Sequence, residues 1–294
     1  MANLKEVRTR IRSVKSTQQI TKAMKMVAAS KLRKAQDAIL QLRPFTEKLG
    51  EILQNVIKST EHSTSSPYSE IREVERILLV PVTSDRGLCG AFNSNVIKRT
   101  LFLIQEEYNK AYNSGQLYVM PIGIKGFDYF KKYGYNVIED YSQLFTQLSF
   151  DNVRAAADFT MDGFLNEDFD KVILIYNEFK NVATQILCVD QFLPLSREED
   201  EDDTKVATEY IFEPSKIDIK KELIPQSLRI QFYKSILESN ASEHGARMTS
   251  MEVATENADE LLGDLQILYN RTRQAAITKE ILDIVGGAEA LASE

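Results

Sequence analysis

The chain has 294 residues, 43% of them hydrophobic and 27% charged, which suffices for one large domain or a modest domain plus an extended element. Its only cysteines are Cys89 and Cys188 and its only histidines are His62 and His244. A disulfide scaffold is therefore excluded, and little material remains for a transition-metal site. No apolar run approaches the ~18 residues that a membrane-spanning helix needs, and the first residues lack the apolar core of a secretory signal. The net charge of −7 conceals an asymmetry: residues 1–48 carry twelve Lys or Arg against three acids, a balance of +9, leaving −16 on the remainder. A basic first sixth suggests an element that meets an acidic partner or nucleic acid.

Residues 1–58 read as one long helix. Steps of three and four give the seam Leu4, Val7, Ile11, Val14, Gln18, Thr21, Lys25, Ala28, Leu32, Ala35, Ile39 and Leu42, a heptad repeat without a slip. Pro44 is expected to kink this helix rather than end it. Residues 59–69, rich in Ser and Thr, read as a linker.

Residues 70–224 alternate strand and helix signals. Arg76–Val82 suits a strand buried on both faces, followed by a helix over Ala91–Asn113. Leu117–Ile124 then reads as strand, Phe127–Tyr133 as helix, Tyr135–Ile138 as strand and Asn152–Asn166 as helix. Lys171–Phe179 and Thr184–Phe192 form a strand pair. This order predicts an α/β domain, Rossmann-like, with a mostly parallel sheet and an antiparallel edge. Six acids at 198–203 predict a solvated loop, and Glu209–Phe212 a last strand.

Residues 225–294 mirror the first segment. A helix is expected from about Gln226, just after Pro225, with seam positions Met251, Ala254, Ala258, Leu261, Leu265, Leu268, Thr272, Ala275, Lys279 and Leu282. Two long seams flanking a folded domain predict an antiparallel intramolecular coiled coil, with a parallel homodimer as its rival. Three polar seam positions in a row, Gln18, Thr21 and Lys25, lie next to the apolar Ile20, Met24 and Val27. The first helix is therefore expected to turn a different face to its partner at this level.

The loop Thr83-Ser84-Asp85-Arg86-Gly87-Leu88-Cys89-Gly90 occupies the place of a phosphate-binding loop in a doubly wound sheet. It has neither the dinucleotide fingerprint nor the Gly-Lys-Ser/Thr ending of a P-loop, which favours a structural turn or a partner contact. Cys89 has no histidine placed to activate it, and the acidic run lacks the pattern of a calcium loop. No catalytic residue, cofactor site or metal site is expected. The basic first helix could bind nucleic acid, yet its first 44 residues offer no aromatic stacking platform.

Several stretches closely resemble the γ subunits of F-type ATP synthases of the bacterial type: Ile11–Leu32, Thr83–Gly90, Glu243–Met248, Asn257–Leu261, Arg273–Ile281 and Val285–Ala288. The resemblance implies a rotor shaft that enters the α3β3 ring as a coiled coil, with its α/β domain beside the ε subunit and on the c-ring. It implies that α and β bind the nucleotide and that the shaft is not itself an enzyme. Partner contacts are then expected at Lys22, Met24 and Lys25, at Arg86 and Arg247, and higher on the shaft at Arg273, Gln274 and Thr278. The expected location is the cytoplasmic face of a bacterial inner membrane, held by partners without direct membrane insertion. Two other readings stand beside this one: an α/β nucleotide-dependent enzyme dimerised by its coiled coil, and a basic coiled-coil module for nucleic acid.

Overall fold

The computed structural model describes residues 4–58, 66–195 and 216–292. Most of the predicted linker, the acidic run at 198–203 and the strand expected at 209–212 lie outside the described residues. The chain forms two compact units: the outer parts of its two long helices, up to Ala28 and from Met248, and the segment Ala29–Arg247.

The larger unit is built on a five-stranded sheet. Its strands are β1 (Ile77–Pro81), β2 (Leu117–Val119), β3 (Asn136–Val137), β4 (Lys171–Phe179) and β5 (Gln185–Leu193), in the order β3-β2-β1-β4-β5. β1 pairs in parallel with β2 and β4, β2 in parallel with β3, and β5 runs antiparallel to β4 at the edge. All five residues of β1 are buried, the pattern of a central strand covered on both faces.

Alternation along β1 divides the core in two. Leu78 and Val80 face one layer with Val172, Leu174 and Phe192. Onto it pack Val153, Ala157, Met161 and Phe164 of helix α5 (Phe150–Leu165), together with Leu228, Phe232 and Ile236 of the last helix. Ile77 and Leu79 face the other layer with Val119, Ile173 and Ile175, under Val96 of α2 (Phe92–Phe102) and Phe130 of α4 (Ile124–Lys132). The single helix expected at Ala91–Asn113 is instead α2, a π-helical turn at Leu103–Glu107 and α3 (Asn109–Asn113). Tyr108 N–H donates to Leu103 O across that turn at 2.9 Å, and Leu103 and Ile104 thereby both reach the core.

The long helices are α1 (Leu4–Lys58), which carries Pro44 inside it, and α6 (Lys216–Ala292). α6 starts earlier than the sequence suggested, because Pro225 sits within the helix rather than ahead of it. From Ser235 to Gly245 every residue of α6 except Asn240, which is half-buried, is buried. This stretch is a core helix of the larger unit and carries no solvent face.

Candidate partner-contact surfaces

In the helical unit the two helices run antiparallel. Arg8 Nη2 donates to the Tyr269 hydroxyl at 3.0 Å, Gln18 Nε2 to Asp259, and Lys25 Nζ to Glu252 at 2.5 Å, so one number falls as the other rises. Between these pairs the hydroxyls of Thr21 and Thr255 meet at 2.8 Å. All twelve predicted seam positions of α1 are buried or half-buried, the three polar ones included. The expected change of face therefore does not occur: Thr21 is buried, whereas Ile20 and Val27 are more than half exposed. Polar partners on α6 make the difference, since a buried hydroxyl or amide with a matching group costs far less than an orphaned one.

The α6 seam needs a matching correction. Met251, Ala258, Leu265 and Thr272 are shielded as expected. The alternate positions are Thr255, Leu262, Tyr269 and Ala276, one residue later than Leu261, Leu268 and Ala275, which are exposed; Ala254 is half-buried. Lys279 and Leu282 are also exposed. With Tyr269 beside Arg8, α6 runs on to Ala292 past the start of α1, and there Ile281, Leu282 and Ile284 are all more than half exposed. An aliphatic helix face of that kind marks an interaction site.

Of the predicted contact residues in this unit, Lys22, Arg273, Gln274 and Thr278 are exposed and Met24 is half-buried. Lys25 is committed to Glu252, with the side chains 34% and 45% exposed respectively. Lys25→Glu should cost about 1 kcal/mol at low salt, discounted for screening, and adding Glu252→Lys should restore most of it. Urea unfolding of the four chains of that cycle, at low and high salt, measures the coupling.

Arg86 and Arg247 belong to the larger unit and meet at the loop after β1. Thr83 Oγ1 donates to the carbonyls of Ile122 and Gly123 and accepts from Gly126 N–H at 2.9 Å. Asp85 Oδ1 accepts from Ile124 N–H, and Asn93 Oδ1 from Ser84 N–H at 2.9 Å. The loop's polar side chains thus bind their own chain, while Arg86 and Leu88 face solvent. Arg247 Nη2 donates to Arg86 O at 2.8 Å, and its Nη1 to Glu243.

Burial pushes the His244 imidazole down to about 4, helped by the charges of Arg247 and Lys31. Burial also raises the Glu243 carboxyl, against the opposing pull of Arg247. The unfolded chain therefore takes up a proton at His244 below about pH 6.5 that the folded chain refuses, and stability falls toward acid. Between about pH 7 and pH 5 the His244 loss should be about 2 kcal/mol, and Glu243, which takes up its proton in the folded chain above the ordinary carboxylate range, offsets part of it as the pH falls toward that range. Urea unfolding at the two pH values, with and without His244→Asn, isolates this loss.

Sequence reasoning missed Glu252, Thr255 and Asp259 as the partners of the polar seam. Writing the two seams against each other in antiparallel register would have found them. Asn93, which bonds Ser84 and Cys89 of the preceding loop, gave no such signal, whereas Glu243 and Arg247 stand four apart on one helix, a spacing at which opposite charges meet.

The profile of the family described as ATP synthase matches residues 3–291. The ATP synthase gamma chain of Cytophaga hutchinsonii is 56% identical over 293 residues, covering 99% of both chains. That of Flavobacterium johnsoniae is 53% identical over 291 residues, again covering 99% of both. The chain belongs to the ATP synthase γ-chain family.

The match takes in both long helices and the whole sheet, so the γ-chain likeness is not confined to one unit. Among solved structures, a chain of the Tetrahymena thermophila mitochondrial ATP synthase central stalk and c-ring superposes with a TM-score of 0.56 at 27% identity, covering 80% of this chain and 99% of that one. A chain of the Euglena gracilis mitochondrial enzyme in rotational state 3 gives a TM-score of 0.66 at 22% identity, covering 98% and 94%, a likeness of fold. Among the described residues, no helix is long and apolar enough to cross a membrane.

Proposed function

We propose that this chain is the central shaft of a rotary ATP synthase and carries c-ring rotation to the catalytic β subunits of an α3β3 ring without itself catalysing a reaction. The observation that carries this reading is the paired end of α1 and α6, from which α6 continues past the first described residue of α1 with exposed aliphatic side chains. A helix end with that surface suits an apolar sleeve, and a two-helix seam supplies bending stiffness beside it. The similar Tetrahymena chain is part of a central stalk and c-ring assembly, which supports the same role.

On this reading the terminal helices, 1–58 and 225–294, are the shaft, and the α/β domain at 70–224 is the foot, beside ε and on the c-ring. Lys22, Met24, Arg86, Arg273, Gln274 and Thr278 touch the α and β subunits. Lys25 adds charge near that contact while held by Glu252, and Arg247 acts through the loop that it binds. The chain sits on the cytoplasmic face of a bacterial inner membrane, held there by its protein partners, in keeping with the bacterial sources of its relatives.

Reconstitution with the α, β and ε subunits of the same organism tests the proposal. Coupled proton pumping should require this chain, and calorimetry with Mg-ATP on the chain alone should register no binding. Micromolar ATP binding by the isolated chain, with no assembly into a ring complex, would overturn the reading in favour of a nucleotide-dependent enzyme.

A further inference from the structure

We infer that Glu243 and Arg247 are positioning residues, which clamp the Thr83–Gly90 loop over Cys89 and so hold Arg86 and Leu88 outward as a rigid contact tip. The functional half of this inference rests on the proposed role of Arg86; the structural half stands on the geometry alone.

Arg247 spends its whole guanidinium inside the chain. Nη2 donates to Arg86 O at 2.8 Å, while Nε and Nη2 both approach Gly87 O at 3.4 Å. On its other edge Nη1 donates to Glu243 and lies 3.2 Å from His244 Nδ1. The side chains of Arg247, Glu243 and His244 are only 11%, 8% and 9% exposed. His244, neutral over the ordinary pH range, can accept through Nδ1 rather than repel the guanidinium. The planar fork thus bridges one turn of α6 to two successive loop carbonyls, a geometry that lysine cannot reproduce.

The loop needs such a clamp. Leu88 has φ of 63°, in the left-handed region, and is 63% exposed. A leucine there costs about 1–2 kcal/mol and recovers nothing from burial, so surrounding contacts must hold it. Beneath it Cys89 is 2% exposed, and its sulfur accepts from Asn93 Nδ2 at 3.3 Å. Ser84 Oγ donates to Arg86 O at 2.7 Å, so that carbonyl's two lone pairs are shared between Ser84 and Arg247. Removing Arg247 leaves Gly87 O without its guanidinium donors, Arg86 O with Ser84 as its remaining close donor, and the Glu243 carboxylate without its guanidinium partner, which favours an open loop and an accessible thiol.

Maleimide labelling of Cys89 reads the clamp directly. The full-length chain carries Cys188→Ser, since Cys188 is half-buried and would react alongside it. Arg247→Ala should raise the Cys89 labelling rate about tenfold or more, Arg247→Lys nearly as much, and the isosteric Glu243→Gln a few-fold. Far-UV circular dichroism at the same temperature distinguishes loop opening from unfolding. Should the alanine variant fail to fold, Glu243→Gln decides. Labelling as slow as in the parent, in folded chains, overturns the inference. Coupled pumping by the reconstituted complexes is measured in parallel with Arg86→Ala. Faster labelling with intact pumping in all of them would leave the clamp standing and remove Arg86 from the partner contact.

Discussion

Gly123→Ala should lower stability by about 3 kcal/mol or more, one of two large effects expected from single substitutions in the core of the sheet unit. Gly123 opens α4 with φ of 99°, a conformation that L side chains rarely adopt. A Cβ there would sit 2.2 Å from Thr83 O and 2.8 Å from Thr83 Oγ1. Neither atom can retreat. Thr83 is fully buried, its N–H is bonded to Ile122 O at 2.7 Å, and its hydroxyl serves Gly126 N–H. The substitution therefore strains the backbone and disturbs the root of the loop that carries Arg86. Thermal melts should show a fall of roughly 6–12 °C, given about 2–4 °C per kcal/mol for a unit of this size. Gly87→Ala is the control, since nothing lies within 4 Å of its would-be Cβ. A matching fall in the control would mean that the close approach to Thr83 is not the cause.

Phe232→Ala should cost about 3–5 kcal/mol, the range for emptying a buried aromatic site. Phe232 is 1% exposed, and its ring meets that of Phe192 at 5.4 Å and 65°. It joins α6 to β5, so its loss leaves a cavity where the long helix meets the sheet. The helical unit has its own contacts at Thr21–Thr255 and Lys25–Glu252. Hydrogen exchange should therefore accelerate over residues 224–245 far more than over residues 251–272. Equal acceleration in both stretches would show that the units unfold as one.

The terminal helices show where local pattern suffices and where it stops. Along α1 the spacing of Leu4, Val7, Ile11 and Val14 names a stripe, and backbone geometry alone puts that stripe on one side of a helix. Its polar continuation through Gln18, Thr21 and Lys25 stays on the same side, though the residues themselves argued for a change of face. What holds them is Asp259, Thr255 and Glu252, more than two hundred residues away in sequence. On α6 the ambiguity is of another kind. A 3.5-residue repeat can be stepped as three then four or as four then three, and apolar residues occur at both settings, Leu261 and Leu268 against Leu262 and Tyr269. Only the position of the facing helix chooses between them.

The α/β unit divides in the same way. Its strand order of types, its antiparallel edge pair and the absence of a P-loop ending after β1 are properties of short stretches, and the sequence by itself determined them through alternation and loop chemistry. It also determined the basic charge of the first helix and the family, through motifs spread from Ile11 to Ala288. The tertiary structure alone decided that Pro225 lies inside α6, that the helix beyond it is buried on nearly every side from Ser235 to Gly245, and that Arg247 closes on the carbonyls of Arg86 and Gly87. The physical reason is common to all three. Periodicity and propensity act over a few turns of chain, whereas burial and hydrogen-bond satisfaction depend on which distant groups arrive to exclude water.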